Sequence, residues 1–429
     1  MHTFNDIKKK FKKKNITIGI IGLGYVGLPI ANRFIKKNIN VVGLDNDNNK
    51  IDKLKAGKPY INTPSLKNFN YFKKNNNNLS SDYNILKNCD VIIVCLPTPL
   101  KNSRPDMSYV YECARKLKKI IKPFQLVILE STVFPGATIE FFKKFKKKEH
   151  ILGTNLFLGY SPERENPGDS KFSYKKTPKV ISGYTDKCLT LIDLVYSHIV
   201  KKRIQAKSIK EAETSKLLEN LYRAVNIGLV NELKIICNYL KIDIFNVIEL
   251  AATKNFGFQK FLPGPGLGGH CIPIDPFYLS WASKKAGYDP KFISLSGKLN
   301  TSMPKWVVNK MLKNLKKNPK ILIIGVSYKK NVDDDRESPS IEIMKILKNK
   351  KIKFDYNDPY FPYLRKGRNL NFNKKSIPIN KNTLKKFSAT LIVTDHDKYD
   401  YEFIYKNSNL VFDSRGVYKK FNYKDVIYL

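Results

Sequence analysis

The chain has 429 residues, of which 42% are hydrophobic and 12% aromatic, so it is globular rather than disordered and long enough for two or three domains. Its formal net charge is +41, from 78 Lys+Arg against 37 Asp+Glu. Nucleic-acid binding is disfavoured because only ten of the basic residues are arginines, the preferred readers of base edges, and because the lysines are spread over the whole length. A basic surface still favours anionic substrates.

The predicted elements begin with a short basic amphipathic helix, in which Phe4, Ile7 and Phe11 recur at helical spacing. We expect this helix to dock on the first domain rather than on a membrane surface. Apolar runs then predict buried strands at residues 15–21, 41–44, 91–96, 126–129 and 157–160, with helical patterns between them. Strands that alternate with helices in this way indicate a doubly wound parallel sheet.

From about residue 207 to 240 the sequence has no strand pattern and predicts one long helix. Its apolar stripe at i, i+4 spacing comprises Leu217, Leu221, Val225 and Leu229. Short apolar strands return at residues 320–325, 352–356, 389–394 and 410–413. The predicted fold is therefore α/β, with two Rossmann-like doubly wound parallel-sheet domains joined by a long central helical connector.

The cysteines and the hydropathy pattern indicate the setting. The six cysteines form no CxxC pair and stand at no metal-type spacing to the five histidines, so neither a disulfide framework nor a metal site is predicted. No stretch approaches about 18 uninterrupted apolar residues, and the first residues lack the apolar core of a signal peptide. We therefore expect a cytoplasmic protein without a membrane span.

A dinucleotide fingerprint follows the first strand. Gly22, Gly24 and Gly27 form a GxGxxG motif that opens a helix, and the second strand ends in the acidic residue Asp45. The glycines permit a tight turn and let a pyrophosphate approach the helix N-terminus, where Tyr25 and Val26 also lie. Asp45 would accept hydrogen bonds from ribose hydroxyls and repel a 2′-phosphate, so NAD is favoured over NADP. FAD, which uses the same fingerprint, is the alternative cofactor.

Two later strands end in loops that would face the same cofactor. One contains Pro97 and Thr98, and the other is the segment 130–136, which contains Thr132. Open α/β sheets bind their ligands at the carboxyl ends of the strands. We therefore expect both loops to contribute to the NAD site.

A glycine-dense loop delivers one cysteine, Cys271, and then a carboxylate, Asp275. Beside NAD, a thiolate can add to an aldehyde and carry it through a thiohemiacetal to a thioester that water cleaves. Lys216 and Asn220 lie at i, i+4 on the predicted long helix and could present an ammonium and an amide to a developing oxyanion. His270 is next to the cysteine, but adjacent side chains rarely face each other, so we assign it a structural role in the loop.

These segments together resemble the UDP-glucose/GDP-mannose dehydrogenase family. The resemblance rests on residues 22–28, 130–136, 159–169, 216–220, 264–275, 328–330 and 336–339, which occur in the family's order from about residue 16 to 418. It implies an NAD-dependent, four-electron oxidation of the C6 alcohol of a nucleotide sugar to a carboxylate. It also implies three domains: an NAD-binding domain at 1–205, a central connector with the cysteine loop at 206–305, and a UDP-sugar-binding domain at 306–429.

The resemblance also implies roles for individual residues. Cys271 is the nucleophile, Lys216 the general base or oxyanion stabiliser with Asn220 and Asp275 in support, Glu163 acts in thioester hydrolysis, and Thr132 holds a water. The implied substrate contacts are Glu163, Arg164, Lys216, Asn220, Leu262, Gly264, Gly266, Gly268, Tyr328, Lys329 and Arg415. Arg336 would touch the cofactor, and Lys50 would lie near its adenosine end.

The choice of substrate within the family rests on two motifs. The sequence Ser-Pro-Glu-Arg at 161–164, and a histidine before the cysteine, resemble the enzymes that act on UDP-N-acetylhexosamines. Residues 272–276 and 165–169 favour the UDP-GlcNAc/UDP-GalNAc type over UDP-ManNAc. One position departs from the family's UDP-glucose members, because Pro167 stands where they carry a second acid. The hydrolytic water therefore lacks one of its usual partners, and Arg164 and Glu165 are candidates to take over part of that role.

Two alternatives remain. The chain could act on UDP-glucose or UDP-ManNAc, or it could be a polyanion-binding protein on a retired enzyme scaffold, which the intact motifs disfavour. Members of the family usually dimerise through the central helical segment, so we expect a homodimer or higher homo-oligomer. Surface polysaccharide biosynthesis is the pathway that the family implies.

Overall fold

The computed structural model describes residues 3–58, 60–61, 66, 69–102, 104–164, 177–269, 274–364, 370, 372–421 and 423–429. The chain divides into two compact units. The first comprises residues 1–219 and 281–286, and the second comprises 220–280 and 287–429. Each unit has its own parallel sheet and its own hydrophobic core.

The sheet of the first unit has eight strands. They are β1 (Thr17–Ile21), β2 (Asn40–Leu44), β3 (Leu79–Ser80), β4 (Val91–Val94), β7 (Leu126–Leu129), β8 (Phe157–Tyr160), β9 (Lys179–Gly183) and β10 (Arg203–Gln205), and a separate hairpin is formed by β5 (Leu100–Lys101) and β6 (Arg104–Pro105). The spatial order is β10-β9-β8-β7-β4-β1-β2-β3. Every neighbouring pair is parallel except β8 and β9. All residues of the central strands β4 and β7 are buried, as expected for a parallel sheet covered on both faces.

Helices of the first unit connect these strands. They are α1 (Phe4–Lys12), α2 (Gly27–Ile35), α3 (Asn48–Lys55), α4 (Tyr71–Lys74), α5 (Ser108–Ile120), α6 (Ala137–Phe145) and α7 (Asp186–Ser197), followed by the long α8 (Ile209–Tyr239), which continues into the second unit. Short 3₁₀ turns occur at Asn76–Asn78 and Tyr83–Leu86.

The N-terminal helix docks on the first unit, as the sequence predicted. Its start is fixed by a capping box in which Thr3 and Asp6 bond to each other's backbone N–H groups, at 3.3 and 3.0 Å. Ile7 and Phe11 are buried in the core of the unit, and the carbonyl of Phe11 lies 2.9 Å from Nε2 of His198. The apolar stripe of α1 is therefore satisfied within the chain.

The second unit contains a five-stranded parallel sheet. Its strands are β11 (Lys320–Ile324), β12 (Lys353–Asn357), β15 (Ala389–Ile392), β16 (Val411–Asp413) and β17 (Val426–Tyr428), in the order β12-β11-β15-β16-β17, and β13 (Tyr363–Leu364) pairs with β14 (Lys374–Lys375). Its helices are α9 (Ile244–Ala251), α10 (Asp275–Lys285, whose last residues belong to the first unit), α11 (Lys291–Lys313), α12 (Pro339–Asn349), α13 (Lys381–Lys385) and α14 (Tyr401–Asn407), with a 3₁₀ turn at Val417–Lys420.

The two sheets share one local design at the strand that starts each of them. Gly22 (φ 88°) follows β1 and Gly325 (φ 85°) follows β11, in a left-handed conformation that glycine adopts without steric cost. Each donates its backbone N–H to the last residue of the neighbouring strand, at 2.8 and 2.9 Å. Asp45 and Asp358 follow those neighbouring strands, and each accepts a hydrogen bond from the residue after the glycine. The two α/β units are therefore built alike at this turn.

The predicted strands and the long helix are confirmed to within about two residues. The sequence did not predict β3, β9, β10 and β17 of the two sheets. The predicted helical stripe is also wrong: Leu217 is fully buried, but Leu229 is 54% exposed. The buried row of α8 continues instead through Ala224, Val230 and polar residues. No helix in the described part of the chain is long and apolar enough to cross a membrane.

Candidate active site

The GxGxxG turn uses its three glycines in three different ways. Gly22 has a positive φ, and a Cβ on it would lie 2.5 Å from the carbonyl oxygen of Cys95. A Cβ on Gly27 would lie 1.9 Å from the carbonyl oxygen of Gly22. A Cβ on Gly24, by contrast, would meet no described atom within 4 Å. The first and third glycines are thus required by the fold itself, and the second borders open space.

Helix α2 begins beside that space without a side-chain cap. Its N-cap residue, Val26, makes no capping hydrogen bond. The first N–H groups of a helix lack partners within the helix and carry the positive end of its dipole. An anion beside Gly24 would meet those groups, so the residues of this turn fit the pyrophosphate of a dinucleotide.

Asp45 is buried at the end of β2 and organises the same turn. Its carboxylate accepts hydrogen bonds from the backbone N–H of Leu23 at 2.9 Å and of Asp47 at 3.0 Å. Nζ of Lys50, on α3, lies 3.4 Å from both carboxylate oxygens. The hydroxyl of Tyr60, which the sequence reading missed, donates to the carbonyl of Leu23. Asp45 therefore has a structural duty here besides the ribose contact that the fingerprint predicts.

The loops after β4 and β7 are tied to each other. Oγ1 of the buried Thr98 donates to the carbonyl of Thr132 at 2.8 Å, and Oγ of Ser131 donates to the carbonyl of Leu96 at 2.7 Å. Pro97 between them is exposed. The structure thus brings together two of the three predicted cofactor loops at the carboxyl edge of the first sheet.

A buried carboxylate that the sequence did not reveal anchors the second of these loops. Glu213 on α8 is 0% exposed and accepts hydrogen bonds from the backbone N–H and the hydroxyl of Thr138, at 2.8 and 2.6 Å, and from the N–H of Gly136. These are the groups at the start of α6, where a helix needs acceptors. Glu213 therefore links the Thr132 loop to α8, one turn before Lys216.

The segment 161–164 follows β8 and is held by its neighbours. The hydroxyl of Ser161 donates to the carbonyl of Val180 at 2.8 Å. Arg164 donates to the carbonyl of Pro178 at 2.8 Å, and its other guanidinium nitrogen lies 2.7 Å from a carboxylate oxygen of Glu219 on α8. Glu163, between them, accepts a hydrogen bond from the N–H of Arg164 at 2.7 Å. The part of the motif at 165–169 lies outside the described residues.

In the second unit, the amide of Asn220 on α8 donates to the carboxylate of Asp275, the first residue of α10. Both side chains are less than 10% exposed. Lys216 lies one helical turn before Asn220 in the same helix. Cys271 and His270 lie outside the described residues.

The glycine-rich loop packs closely on residues that the family resemblance assigned to substrate. A Cβ on Gly264 would lie 2.8 Å from a guanidinium nitrogen of Arg415, and one on Gly268 would lie 2.7 Å from Cβ of Tyr328. The N–H of Gly269 donates to the carbonyl of Arg336 at 3.0 Å. These contacts explain why the loop is rich in glycine, because a side chain at either position would force Arg415 or Tyr328 to move.

Several predicted residues have described partners in this unit. Arg336 forms a bidentate pair with Asp334, with the shortest distance 2.6 Å, and Gly266 packs near Pro304. Lys329 is half-buried, and Leu262 is 48% exposed. Asn231, which no motif indicated, donates to Asn300 and accepts from the N–H of Gly264, each at 2.9 Å.

Sequence profiles of three domains of the UDP-glucose/GDP-mannose dehydrogenase family match this chain in succession. The NAD binding domain matches residues 16–200, the central domain 210–302 and the UDP binding domain 322–420. The chain belongs to this family. It is therefore an NAD-dependent oxidoreductase, and the fit of the Gly24 turn to a dinucleotide agrees with that cofactor.

Individual relatives span nearly the same length. The chain is 37% identical over 362 residues to the UDP-N-acetyl-D-glucosamine 6-dehydrogenase of Pseudomonas aeruginosa, covering 81% of this chain and 83% of that one. It is 33% identical over 371 residues to a UDP-N-acetyl-D-mannosamine dehydrogenase of Methanococcus maripaludis, covering 84% and 82%. The solved native structure of the UDP-N-acetyl-mannosamine dehydrogenase Cap5O from Staphylococcus aureus superimposes with a TM-score of 0.81 at 30% identity, covering 96% of this chain and 97% of that one.

Proposed function

We propose that this dehydrogenase oxidises the C6 hydroxyl of a UDP-N-acetylhexosamine, UDP-GlcNAc or UDP-GalNAc, to the carboxylate. The observation that carries the oxidation chemistry in this proposal is the buried hydrogen bond between Asn220 and Asp275. It attaches the residue four positions after Cys271 to the helix that carries Lys216.

Each residue of the proposed site has its own role in the reaction. Lys216 takes the proton of the C6 hydroxyl or stabilises its oxyanion, as Asn220 and Asp275 hold the surrounding polar groups in place. The thiolate of Cys271 adds to the aldehyde and holds it first as a thiohemiacetal and then as a thioester. Glu163 acts on the water that releases the acid. NAD, when bound, supplies the acceptor for the two electrons of each oxidation.

Binding of the nucleotide sugar is proposed to use the glycine-rich loop. Arg415, which lies against Gly264, and Tyr328, which lies against Gly268, border the same loop, and both are positions that the family resemblance assigns to substrate. A guanidinium can pair with a diphosphate through two parallel hydrogen bonds. The three domains, with boundaries at 205/206 and 305/306, stay a prediction, as does the cytoplasmic location.

The N-acetylhexosamine assignment is supported by the segment 161–164. Arg164 stands where the family's UDP-glucose and GDP-mannose members usually place an aromatic residue, and it is fixed by Glu219 and by the carbonyl of Pro178. The relatives include enzymes named for UDP-GlcNAc and for UDP-ManNAc at similar identity. UDP-ManNAc is therefore the second candidate substrate.

The decisive experiment incubates the purified protein with NAD and, separately, with UDP-GlcNAc, UDP-GalNAc, UDP-ManNAc and UDP-glucose. We expect two NADH per molecule of sugar acid with UDP-GlcNAc or UDP-GalNAc. Cys271→Ser should abolish acid formation, and Cys237→Ser, a thiol on α8 in the second unit, should not. Turnover only with UDP-ManNAc or UDP-glucose would overturn the substrate, and one NADH per product would overturn the four-electron course.

We also propose that two copies of the chain associate through the second unit. Large apolar side chains are exposed on α8 and α11, among them Leu229, Ile236, Tyr239, Phe292 and Leu295, with exposed fractions from 45% to 80%. Large apolar side chains that are exposed in the monomer are typical of an interface when they cluster, and these stand on two helices of the same unit. Leu295→Asp should convert a dimer to a monomer in analytical ultracentrifugation, and a wild-type protein that sediments as a monomer would refute the proposal.

A further inference from the structure

Three buried polar side chains lie together beyond the carboxyl end of β7. Glu130 follows that strand, Lys179 begins β9 and Tyr196 lies in α7. Nζ of Lys179 is 2.9 Å from one carboxylate oxygen of Glu130, and the hydroxyl of Tyr196 donates to the other. The side chains of Lys179 and Glu130 are 3% and 0% exposed.

Stability alone is a weak reason for such a pair. Removing two charges from water costs several kcal/mol per ion, and apolar residues of similar volume are often as stabilising. Burial raises the pKa of Glu130 to about 7, against the opposing influence of Lys179, and the carboxylate of Glu163 raises it further. The pair is thus electrostatically coupled to Glu163.

Lys179 also makes a contact outside the pair. Its ammonium donates to the carbonyl of Pro162 at 3.2 Å. Pro162 directly precedes Glu163, and the N–H of Ser161 on its other side donates to the carbonyl of Leu129 at 3.1 Å. One buried ammonium therefore connects the end of β7 to the backbone that carries Glu163.

We propose that Glu130 and Lys179 form a positioning pair for the release of the acid, in which Lys179 holds the Pro162 carbonyl and so fixes the carboxylate of Glu163. This inference rests on the proposed function of Glu163. In that step the oxygen of water bonds to the thioester carbonyl carbon, the carbon–sulfur bond breaks, and Cys271 leaves as a thiolate. Glu163 receives the proton of the water. Both oxidations precede this step and do not need Glu163 in the same position.

The test separates oxidation from acid release in rapid-mixing experiments with NAD and the preferred UDP-sugar. In Lys179→Met, we expect a burst of two NADH per active site at a rate within about threefold of wild type, followed by steady-state turnover that is roughly 10- to 100-fold slower, the usual cost of a misplaced catalytic group. The covalent thioester should accumulate and be detectable by intact mass after acid quench. Lys179→Arg should recover part of the steady-state rate.

Tyr196→Phe removes only one hydroxyl from the cluster and keeps the test valid if Lys179→Met does not fold. It should slow acid release in the same direction, with the NADH burst retained. Asp90→Asn is the matched control. Asp90 directly precedes β4, so it lies at the amino end of that strand, whereas Glu130 follows the carboxyl end of β7. Asp90 pairs with Lys10 and with the N–H of Thr17. Its replacement should leave the NADH burst and the steady-state turnover unchanged.

Two results would overturn the inference. If burst rate, burst amplitude and steady-state rate fall in parallel in both variants, the cluster has only a structural role, and if acid release is unchanged in them, Glu163 does not depend on the pair. Glu163→Gln measured alongside distinguishes this failure from failure of the proposed function. If Glu163→Gln accumulates the thioester and Lys179→Met and Tyr196→Phe do not, the positioning role of the pair is refuted and the proposed function stands. If the wild type forms no acid, the positioning role and the proposed function are both refuted.

Discussion

Gly24→Ala should weaken NAD binding without weakening the fold. A methyl group at this position meets no described atom of the chain within 4 Å, and the backbone is not in the left-handed region. Folding should therefore be unaffected, or favoured by about 0.4–1 kcal/mol because alanine restricts the unfolded chain. The same methyl group occupies the space through which the fingerprint brings a pyrophosphate against the helix N-terminus.

The magnitude follows from that geometry. A phosphate that rests on a bare Cα must move outward when a methyl group is added, and it then loses contact with the N–H groups at the start of α2. We expect NAD to bind at least about tenfold more weakly, which corresponds to about 1.4 kcal/mol. Gly27→Ala is the contrasting variant, because its methyl group would sit 1.9 Å from the carbonyl oxygen of Gly22 and force the backbone to move. That change should destabilise the fold by about 2 kcal/mol or more.

Titration calorimetry with NAD and denaturant unfolding give the two quantities for each variant. The reasoning requires a Gly24→Ala protein with wild-type unfolding and weakened NAD binding, and a Gly27→Ala protein that unfolds at lower denaturant concentration. Wild-type affinity for NAD in folded Gly24→Ala would refute it, since the pyrophosphate would then not pass this glycine. Loss of stability in Gly24→Ala would show instead that the open space is filled by the protein.

Further predictions concern the second unit. Burial lowers the pKa of Lys234 to about 7, whereas a lysine in the unfolded chain has a pKa of about 10.4. Between these pH values the unfolded state therefore binds more protons than the folded state. The free energy of unfolding of wild type should rise with pH relative to that of Lys234→Met. In urea unfolding, the free energy of unfolding of wild type minus that of Lys234→Met should be about 2 kcal/mol higher at pH 9 than at pH 7. The same value at both pH values would contradict this prediction. Gly416→Ala should lower the midpoint of thermal unfolding, because Gly416 has a φ of 74° and a Cβ would lie 2.5 Å from the ring of Phe245; an unchanged midpoint would contradict that geometry. Asn220→Leu should lower kcat and leave the KM for NAD nearly unchanged, since it removes the donor to Asp275 and leaves the Gly24 turn intact. A rise in the KM for NAD as large as the fall in kcat would argue against the proposed roles.

Local pattern was sufficient for most of the fold. Runs of apolar residues predicted the strands that are buried on both faces, because such strands are apolar throughout and do not alternate with polar residues. Strand β9 was not predicted because it begins with Lys179, and a lysine is untypical of a buried strand. Its charge is paired with Glu130, which lies 49 residues away in the sequence. Leu229 was misjudged because spacing along a helix shows which residues share a face, but not which face is covered.

The candidate site also contains residues that the sequence predicts and residues that only the structure reveals. The glycines of the dinucleotide turn, Asp45, Cys271 and the Lys216–Asn220 spacing stand in short motifs, so the sequence alone predicts them as site residues. Glu213, Asn231 and Lys179 act through contacts with backbone groups that are remote in sequence, and only the fold brings those groups together. A motif can therefore predict candidate reactive groups, whereas the buried side chains that contact their backbone are seen only in the structure.

The buried carboxyl of Glu130 makes a last prediction about pH. Lys179, Tyr196, Glu163 and the thiol of Cys95 are the titratable groups named around it. Its pKa of about 7 lies above the ordinary carboxyl value of 4.5, so between these values the folded state binds more protons than the unfolded state. Stability contributed by this group is therefore complete at low pH and is lost as the pH rises towards 7 and beyond.

Glu130→Gln removes that titration and keeps an acceptor for the hydroxyl of Tyr196. Between pH 4.5 and 8, the free energy of unfolding of wild type should fall by about 3 kcal/mol relative to this variant. Denaturant unfolding at intervals of half a pH unit measures the difference, and Asp90→Asn run in parallel shows the behaviour of a carboxylate that is partly exposed. A constant difference, or one that grows in favour of wild type as pH rises, would mean that Lys179 outweighs burial and that the pair is fully ionised throughout. The positioning role of the pair would then depend on charge alone, and acid release should show no dependence on the protonation of Glu130.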